Sequence, residues 1–469
     1  MSGLNNPIAR LLIRQRRRSA AVAMGALRDP VALSRLELHR LAARALDRDQ
    51  DAARAFPVER IRSLTATGRA GEALDFARTL APRPEHDLAL ALSAFDPALA
   101  LTKYAGSDAS LRAALMLAAG REDDARHALE TASGPQAAFL RASLDRHDPA
   151  RATPAWRDGF AAWDLSPPEA VDPAFPVSVV NARAEASAAV DGPLISVIMP
   201  SRNASRWVAA AVRSVLDQSW RNLEFLFVDD ASTDDNAGQA LAAADGDPRF
   251  VLIRQSERGG AYTARNAALA RAKGHWVAVQ DSDEWAHPDR LARQVAEMRA
   301  RGLTAHSGRS IRVDAEGEIH ARGVWPLTRW APSTLMFERA PVMERAGYFH
   351  QVLSGADNEY WWRLVQLFGP RRAAISRTPL ILGAWRADSL TGAKDSGFGA
   401  GGFNLDRLIY WERWSFWHAR NLRTPGALRL EPGDQPFRSP KKILLKPLSR
   451  WERAARSGMR SRPLLQRAG

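Results

Sequence analysis

At 469 residues the chain is too long for one ordinary core, and two or three domains are expected. Its 46% hydrophobic and 25% charged residues describe a folded soluble protein; no apolar run reaches the roughly 18 to 20 residues of a membrane span, and the lack of Cys excludes disulfides, thiol nucleophiles and thiolate metal sites, as in a cytoplasmic protein. The formal charge of +14 sits at the two ends, five Arg without an acid in residues 1–18 and ten Lys or Arg against Glu452 in residues 438–469, so the neutral body argues against a nucleic-acid groove.

Residues 1–29 read as a basic N-terminal tail. In its "IARLLIRQRRR", and in "KKILLKPLSRWERAARSGMRSR" of a basic C-terminal tail over 423–469, Leu, Ile and Trp mix with cations. That pattern suits an anionic membrane surface, where each Lys or Arg contributes about 1 kcal/mol; the competing reading is a solvated end. The apolar stretch behind the first arginines is too brief for an export signal, so the expected location is cytoplasmic, peripheral at the inner face of the membrane.

Residues 30–165 are rich in Ala, Leu and Arg, with apolar positions at three- and four-residue steps, which predicts helices. "TATGRAGEALDFARTL" (65–80) and "LAAGREDDARHALETA" (117–132) share a Gly-Arg between two amphipathic stretches, the pattern of helix, tight turn and returning helix. A short tetratricopeptide-like solenoid and a plain helical bundle both fit, and either offers a surface for a protein partner. The proline-rich "DLSPPEAVDPAFP" opens a linker over 166–192.

From residue 193 to 422 short apolar runs alternate with amphipathic helices: "LISVIM", "LEFLFV", "FVLIR" and "HWVAVQ" read as strands covered on both faces. The alternation predicts an α/β unit with a mainly parallel central sheet, whose ligands bind beyond the carboxyl ends of the strands. The second run ends in "VDDAS" and the fourth in "DSDE". If 281–283 is extended, Asp281 and Asp283 share a side while Ser282 turns away, and two hard oxygen donors suit Mg²⁺ or Mn²⁺ held with substrate phosphates. The bland alternative for Asp283 is a cap on the helix that begins near Pro288. "GFGAGG" (397–402) matches a dinucleotide fingerprint on paper, but no strand leads into it, so a loop near an acceptor is expected instead. "LDRLIYWERWSFWHAR" (405–420) is an aromatic helix read mainly as packing.

Three stretches in order, "PLISVIMPSRNASRWVAAAVRSVLDQSWRNLEFLFVDDASTDDN" (193–236), "ARNAALARAKGHWVAVQDSDEW" (264–285) and "GADNEYWWRL" (355–364), resemble the family 2 glycosyltransferases of the GT-A fold. The resemblance implies an inverting transferase that moves a sugar from a nucleotide-diphosphate donor, UDP-linked by preference, to a glycan or lipid-linked hydroxyl. It implies nucleotide contacts at Pro200, Ser201 and Asn203, base reading by Asp230, and a role for Arg265. It places a divalent metal, Mg or Mn, on Asp281 and Asp283 around Ser282, and the general base at Asp357, with Glu359 a rival beside it. Arg386, Ser389 and Thr391 are further candidates for phosphate or acceptor contact. Ala356 stands where the family usually has a Glu, Arg202 where a Tyr is common, and "WRADSLTG" (385–392) lacks a frequent His. A catalytically silent nucleotide-sugar-binding protein and a helical-repeat adaptor are the alternatives.

Overall fold

The structure is a computed structural model that describes residues 29–321, 323–386 and 404–444. Ser389, Thr391, the 397–402 glycines and most of both basic tails lie outside the described residues.

The N-terminal region is all helix: α1 (Pro30–Arg35), α2 (His39–Arg48), α3 (Gln50–Ala55), α4 (Pro57–Ala66), α5 (Ala70–Arg78), α6 (His86–Ser93), α7 (Pro97–Lys103), α8 (Ala109–Ala118), α9 (Glu122–Glu130), α10 (Pro135–Leu144) and α11 (Pro149–Ala161). Local chemistry sets the boundaries. Proline opens α1, α4, α7, α10 and α11, where its missing N–H is no loss, and Asp29, Asp96 and Asp148 cap the adjoining turns. Both Gly-Arg turns are present: Gly68 and Gly120 have φ of 82° and 75°, and the following Arg69 and Arg121 N–H groups close back onto Leu64 and Met116 carbonyls at 2.9 Å. From α4 onward the helices pair as hairpins beginning at residues 57, 86, 109 and 135.

The remainder is built on β1 (Ile195–Ser201), β2 (Leu223–Asp229), β3 (Phe250–Arg254), β4 (Trp276–Val279), β5 (Glu284–Ala286), β6 (Ala305–Val313), β7 (Ile319–His320), β8 (Thr328–Trp330), β9 (Met336–Glu338) and β10 (Ala373–Ala384). Around these lie α12 (Ser205–Leu216), α13 (Asn236–Ala244), α14 (Ala261–Leu269), α15 (Arg290–Arg301), α16 (Arg339–Arg345), α17 (Ala356–Phe368) and α18 (Leu405–Asn421). One sheet runs in the order β3-β2-β1-β4-β9-β6-β10-β5, with β7 and β8 on β6. Its first four strands are parallel, as the apolar runs predicted. The second half is mixed: β9 is antiparallel to β4 and β6, β10 parallel to β6, and β5 antiparallel to β10. This is a mixed α/β sheet preceded by an all-helical region.

Alternation along the strands divides the core into two layers. Val197 and Met199 pack with α12 and α15, whereas Ile198 between them packs with α14, α17 and α18. Phe225 and Phe227 are fully buried on the first face, each contributing about 1.5–3 kcal/mol.

Two segments expected as linker and tail carry contacts of their own. In the 166–192 linker Asn181 donates to the Asp172 and Phe175 carbonyls at 3.0 Å, Ser187 Oγ donates to Asp289 at 2.7 Å, and Val190 pairs with Trp220. Residues 423–444, expected as tail, are fastened to the sheet-bearing half through buried Leu428, Leu430 and Ile443 and a bridge from Gly347 to Leu430. In both cases isolated apolar residues among prolines and charges find partners that local periodicity does not reveal. No helix of the described residues is long and apolar enough to cross a membrane.

Candidate active site

The carboxyl ends of β1, β2 and β4 and the amino ends of α14 and α17 meet at one mouth. Ser201 and Asn203 fasten the loop after β1 to the loop after β2. Ser201 Oγ donates to Asn236 Oδ1 at 2.7 Å, Asn236 Nδ2 donates to Asp229 at 2.7 Å, and Asn203, at φ 49°, accepts from Thr233 N at 2.9 Å. Pro200 is buried at the end of β1. Arg202, in place of the expected Tyr, donates to the Asp230 carbonyl at 2.7 Å.

Asp230 is 2% exposed and takes the backbone N–H of Gly259 at 2.5 Å on one oxygen and of Gly260 at 2.8 Å on the other. Burial pushes its carboxyl above the ordinary value, and the two N–H donors oppose that. Each oxygen keeps a second lone pair for a ligand.

The sequence placed Asp281 and Asp283 on an extended segment; residues 282 and 283 instead form a turn between β4 and β5. The two carboxylates still come together, each held by an arginine from a different element. Arg265 of α14, 5% exposed, donates from Nη2 to Asp281 Oδ1 at 2.6 Å, and Arg386 after β10 pairs with Asp283 at 3.2 Å. Ser282 is buried between them, and Asp283 caps no helix, since Asp289 occupies that position for α15. Burial pushes the Asp283 carboxyl up against the pull of Arg312 and Arg386, and pushes Glu284 up to about 7. Glu284, Arg312 and Tyr262 were not foreseen as site residues. Each contact spans 28 residues or more, as Arg312 to Glu284 at 3.1 Å, or rests on a turn that periodicity does not show.

Among the described residues the buried Nε atoms of Arg265, Arg312 and Arg386, and Glu284 Oε2, have no hydrogen-bond partner. Stranded cationic donors around two half-paired carboxylates fit an anionic ligand together with a hard cation. A different Asp, Glu and His set, Asp314, Glu318 and His320, lies in the β6–β7 turn. There Asp314 Oδ1 takes the Glu316 and Glu318 N–H groups at 3.0 and 2.9 Å and Oδ2 pairs with His320 at 2.7 Å, the bonding of a turn. A groove of about 280 Å³ bordered by Trp220, Asp289 and Arg293 sits at the opposite, amino end of β1 and β4 and takes no part.

Asp357 lies in the first turn of α17, half-buried, behind Gly355 at φ 88°. Its Oδ1 accepts from Asn358 N at 2.8 Å and Asn358 Nδ2 at 3.2 Å. Tyr262 and Arg265 face it from α14, and Arg407 and Tyr410 from α18. Glu359, the rival acid, is removed from the site: it is fully buried, paired with Arg363 at 3.0 Å and with His418 at 2.9 Å. Two residues on from Asp357, a helix turns by about 200°, so the two acids face opposite ways.

Residues 196–352 match the sequence model of the family described as Glycosyl transferase family 2. This stretch is a family 2 glycosyl transferase domain. The transferase domain is similar to the succinoglycan biosynthesis protein ExoO of Rhizobium meliloti (strain 1021), 33% identical over 169 residues that cover 33% of this chain and 48% of that protein. It is also similar to the UDP-Glc:alpha-D-GlcNAc-diphosphoundecaprenol beta-1,3-glucosyltransferase WfgD of Escherichia coli, 38% identical over 109 residues, 23% of this chain and 42% of the relative. The chain thus spans less than half the length of these two curated relatives. Among solved structures, S. aureus TarS 1-349 in complex with UDP-GlcNAc aligns at a TM-score of 0.35 and 20% identity over 42% of this chain and 59% of that one.

Proposed function

We propose that this chain is an inverting glycosyltransferase that moves a sugar from a nucleotide-diphosphate donor, a UDP-sugar by preference, to a hydroxyl of a glycan or lipid-linked acceptor. The observation that carries the reading is the pair Asp281 and Asp283, bracketed by Arg265, Arg312 and Arg386 with unpaired buried donors, at the same mouth as Asp230 and Asp357. Asp230 receives the base, with the Pro200 to Asn203 loop beside it. Asp281 and Asp283 would hold Mg²⁺ or Mn²⁺, which supplies charge stabilisation to the departing diphosphate. Arg265 and Arg386 add fixed positive charge where that negative charge accumulates. Across the sugar, Asp357 accepts the proton of the incoming hydroxyl, and a single in-line displacement inverts the anomeric carbon.

The relatives act in polysaccharide and undecaprenol-linked glycan synthesis by their names, which supports an acceptor of that class. The basic tails then keep a cytoplasmic enzyme at an anionic membrane surface, and the helical region is a surface for a protein partner. A silent nucleotide-sugar-binding protein is the second reading, favoured by Ala356 at the family's acid position. Thermal stability measured with nucleoside diphosphates and their sugars, with and without Mn²⁺, tests the reading in wild type and Asp283→Asn. A ligand at about 100 times its dissociation constant adds roughly 2.7 kcal/mol. The expected result is a Mn²⁺-dependent rise with one nucleotide, lost in the variant; no rise with any nucleotide contradicts it.

A further inference from the structure

Resting on the reading of Asp357 as the base, we infer that Tyr262 is a positioning residue for it, and that α14 sets the base in register with the nucleotide end of the site. Within seven residues the start of α14 touches all three parts of the mouth. The N–H groups of Gly259 and Gly260 hold Asp230, the Tyr262 hydroxyl oxygen accepts from Gly355 N at 3.1 Å, and Arg265 holds Asp281 at 2.6 Å.

The Tyr262 contact matters because α17 lacks a side-chain cap of its own. Its capping position is Gly355, which has no side chain and sits at φ 88°, a conformation other residues resist. The phenol oxygen, brought from 93 residues away, is the partner for that turn, two residues before Asp357. The turn is gripped from the far side by Tyr410, whose ring would lie 3.4 Å from a Cβ at 355. Further along, Asn266 Nδ2 donates to Phe349 O and its Oδ1 accepts from Phe349 N, both at 2.9 Å, and Gln351 donates to Thr263 at 3.2 Å. The Arg265 guanidinium lies 5.3 Å from the Tyr262 ring centre and 5.8 Å from that of Phe349, so one ring stack supports the metal-side arginine and the base-side turn together. Nothing in the sequence pattern distinguishes Tyr262 from an ordinary core aromatic; only the hydroxyl contact does.

Tyr262→Phe removes one oxygen and leaves the ring stack. Among the described residues, the charged and titratable groups that act on the Asp357 carboxylate include Tyr262 and Arg265 from α14 and Arg407 and Tyr410 from α18. With Gly355 N released, Asp357 moves off its line to the acceptor and loses part of the favourable field of the α17 amino terminus. The expected result is a fall in kcat of about tenfold or more, since a displacement near 1 Å costs up to about 10²-fold. Donor KM and nucleotide affinity stay within about twofold, which also serves as the control for folding. Tyr262→Leu, which also strips the ring from Arg265, adds a rise in donor KM. Asp357→Asn is measured beside them. Loss of turnover there with unchanged kcat in Tyr262→Phe overturns the positioning role alone; full turnover in Asp357→Asn overturns the base assignment and the inference with it.

Discussion

Asp357 and Glu359 share one turn of α17 and have opposite fates, decided by partners rather than by residue type. Glu359 faces Arg363, its own i+4 neighbour, and His418, 59 residues away on α18. Burial works against its charge, but Arg363 and His418 outweigh that and hold its carboxyl below the ordinary value. The linkage follows from that sign. A carboxyl depressed in the folded state contributes stability that is fully present above its unfolded value and is lost as pH falls through the folded one. Glu359→Gln, by leaving Arg363 buried without its anion, is expected to cost about 3–5 kcal/mol in chemical denaturation and to flatten the acid side of the stability profile. An unchanged midpoint would mean that the trio does no structural work. The sequence showed both acids and the helix under them. It could not show His418, and without that partner Glu359 stayed a rival to Asp357.

At the level of elements, the fragments legible in the sequence were those with a sustained period or a fixed turn. The parallel strands β1 to β4 and the Gly68 and Gly120 hairpins belong to this class. The three-residue strands β5, β8 and β9 do not, because three residues carry no period. The 281–283 turn was missed for the same reason: a turn and an extended end look alike at that length. The aromatic helix α18 was legible as packing, and Tyr410, Trp414 and Trp417 are buried. What lies under it was not: Trp411 Nε1 donates to Leu36 O at 3.4 Å, and Arg40 pairs with Glu412 at 3.3 Å, both between elements more than 370 residues apart. At the other end of the helical region, Phe139 is fully buried against Trp156, Phe160 and Trp163. Phe139→Ala is expected to cost about 3–5 kcal/mol, read as a lowered denaturation midpoint. Because Phe139 shares its cluster with Trp285, Ile311 and Leu382 of the sheet, tryptophan fluorescence of the catalytic half should shift at the same midpoint. Separate midpoints for the two halves would show that they are independent.

Across the whole molecule, the compositional change near residue 190 is real but does not mark a mechanical joint. The helical region grips the transferase half twice, through α1 and α2 on α18 and through α10 and α11 on the far edge of the sheet. A sequence reveals where composition changes and leaves open whether the two sides share a core. The candidate site draws on residues 200 to 386, and its proposed acids were legible because the order of strand, acid and helix was visible; the arginines that bracket them were legible only in part, since Arg265 had a motif and Arg312 had none. The proposed reaction is a single displacement with Asp357 on the acceptor side. It is tested most directly by following the anomeric proton of the sugar transferred or released from an α-linked nucleotide sugar, by NMR at early times. A β product at first turnover is the result expected; an α product would contradict a single displacement and with it the role given to Asp357.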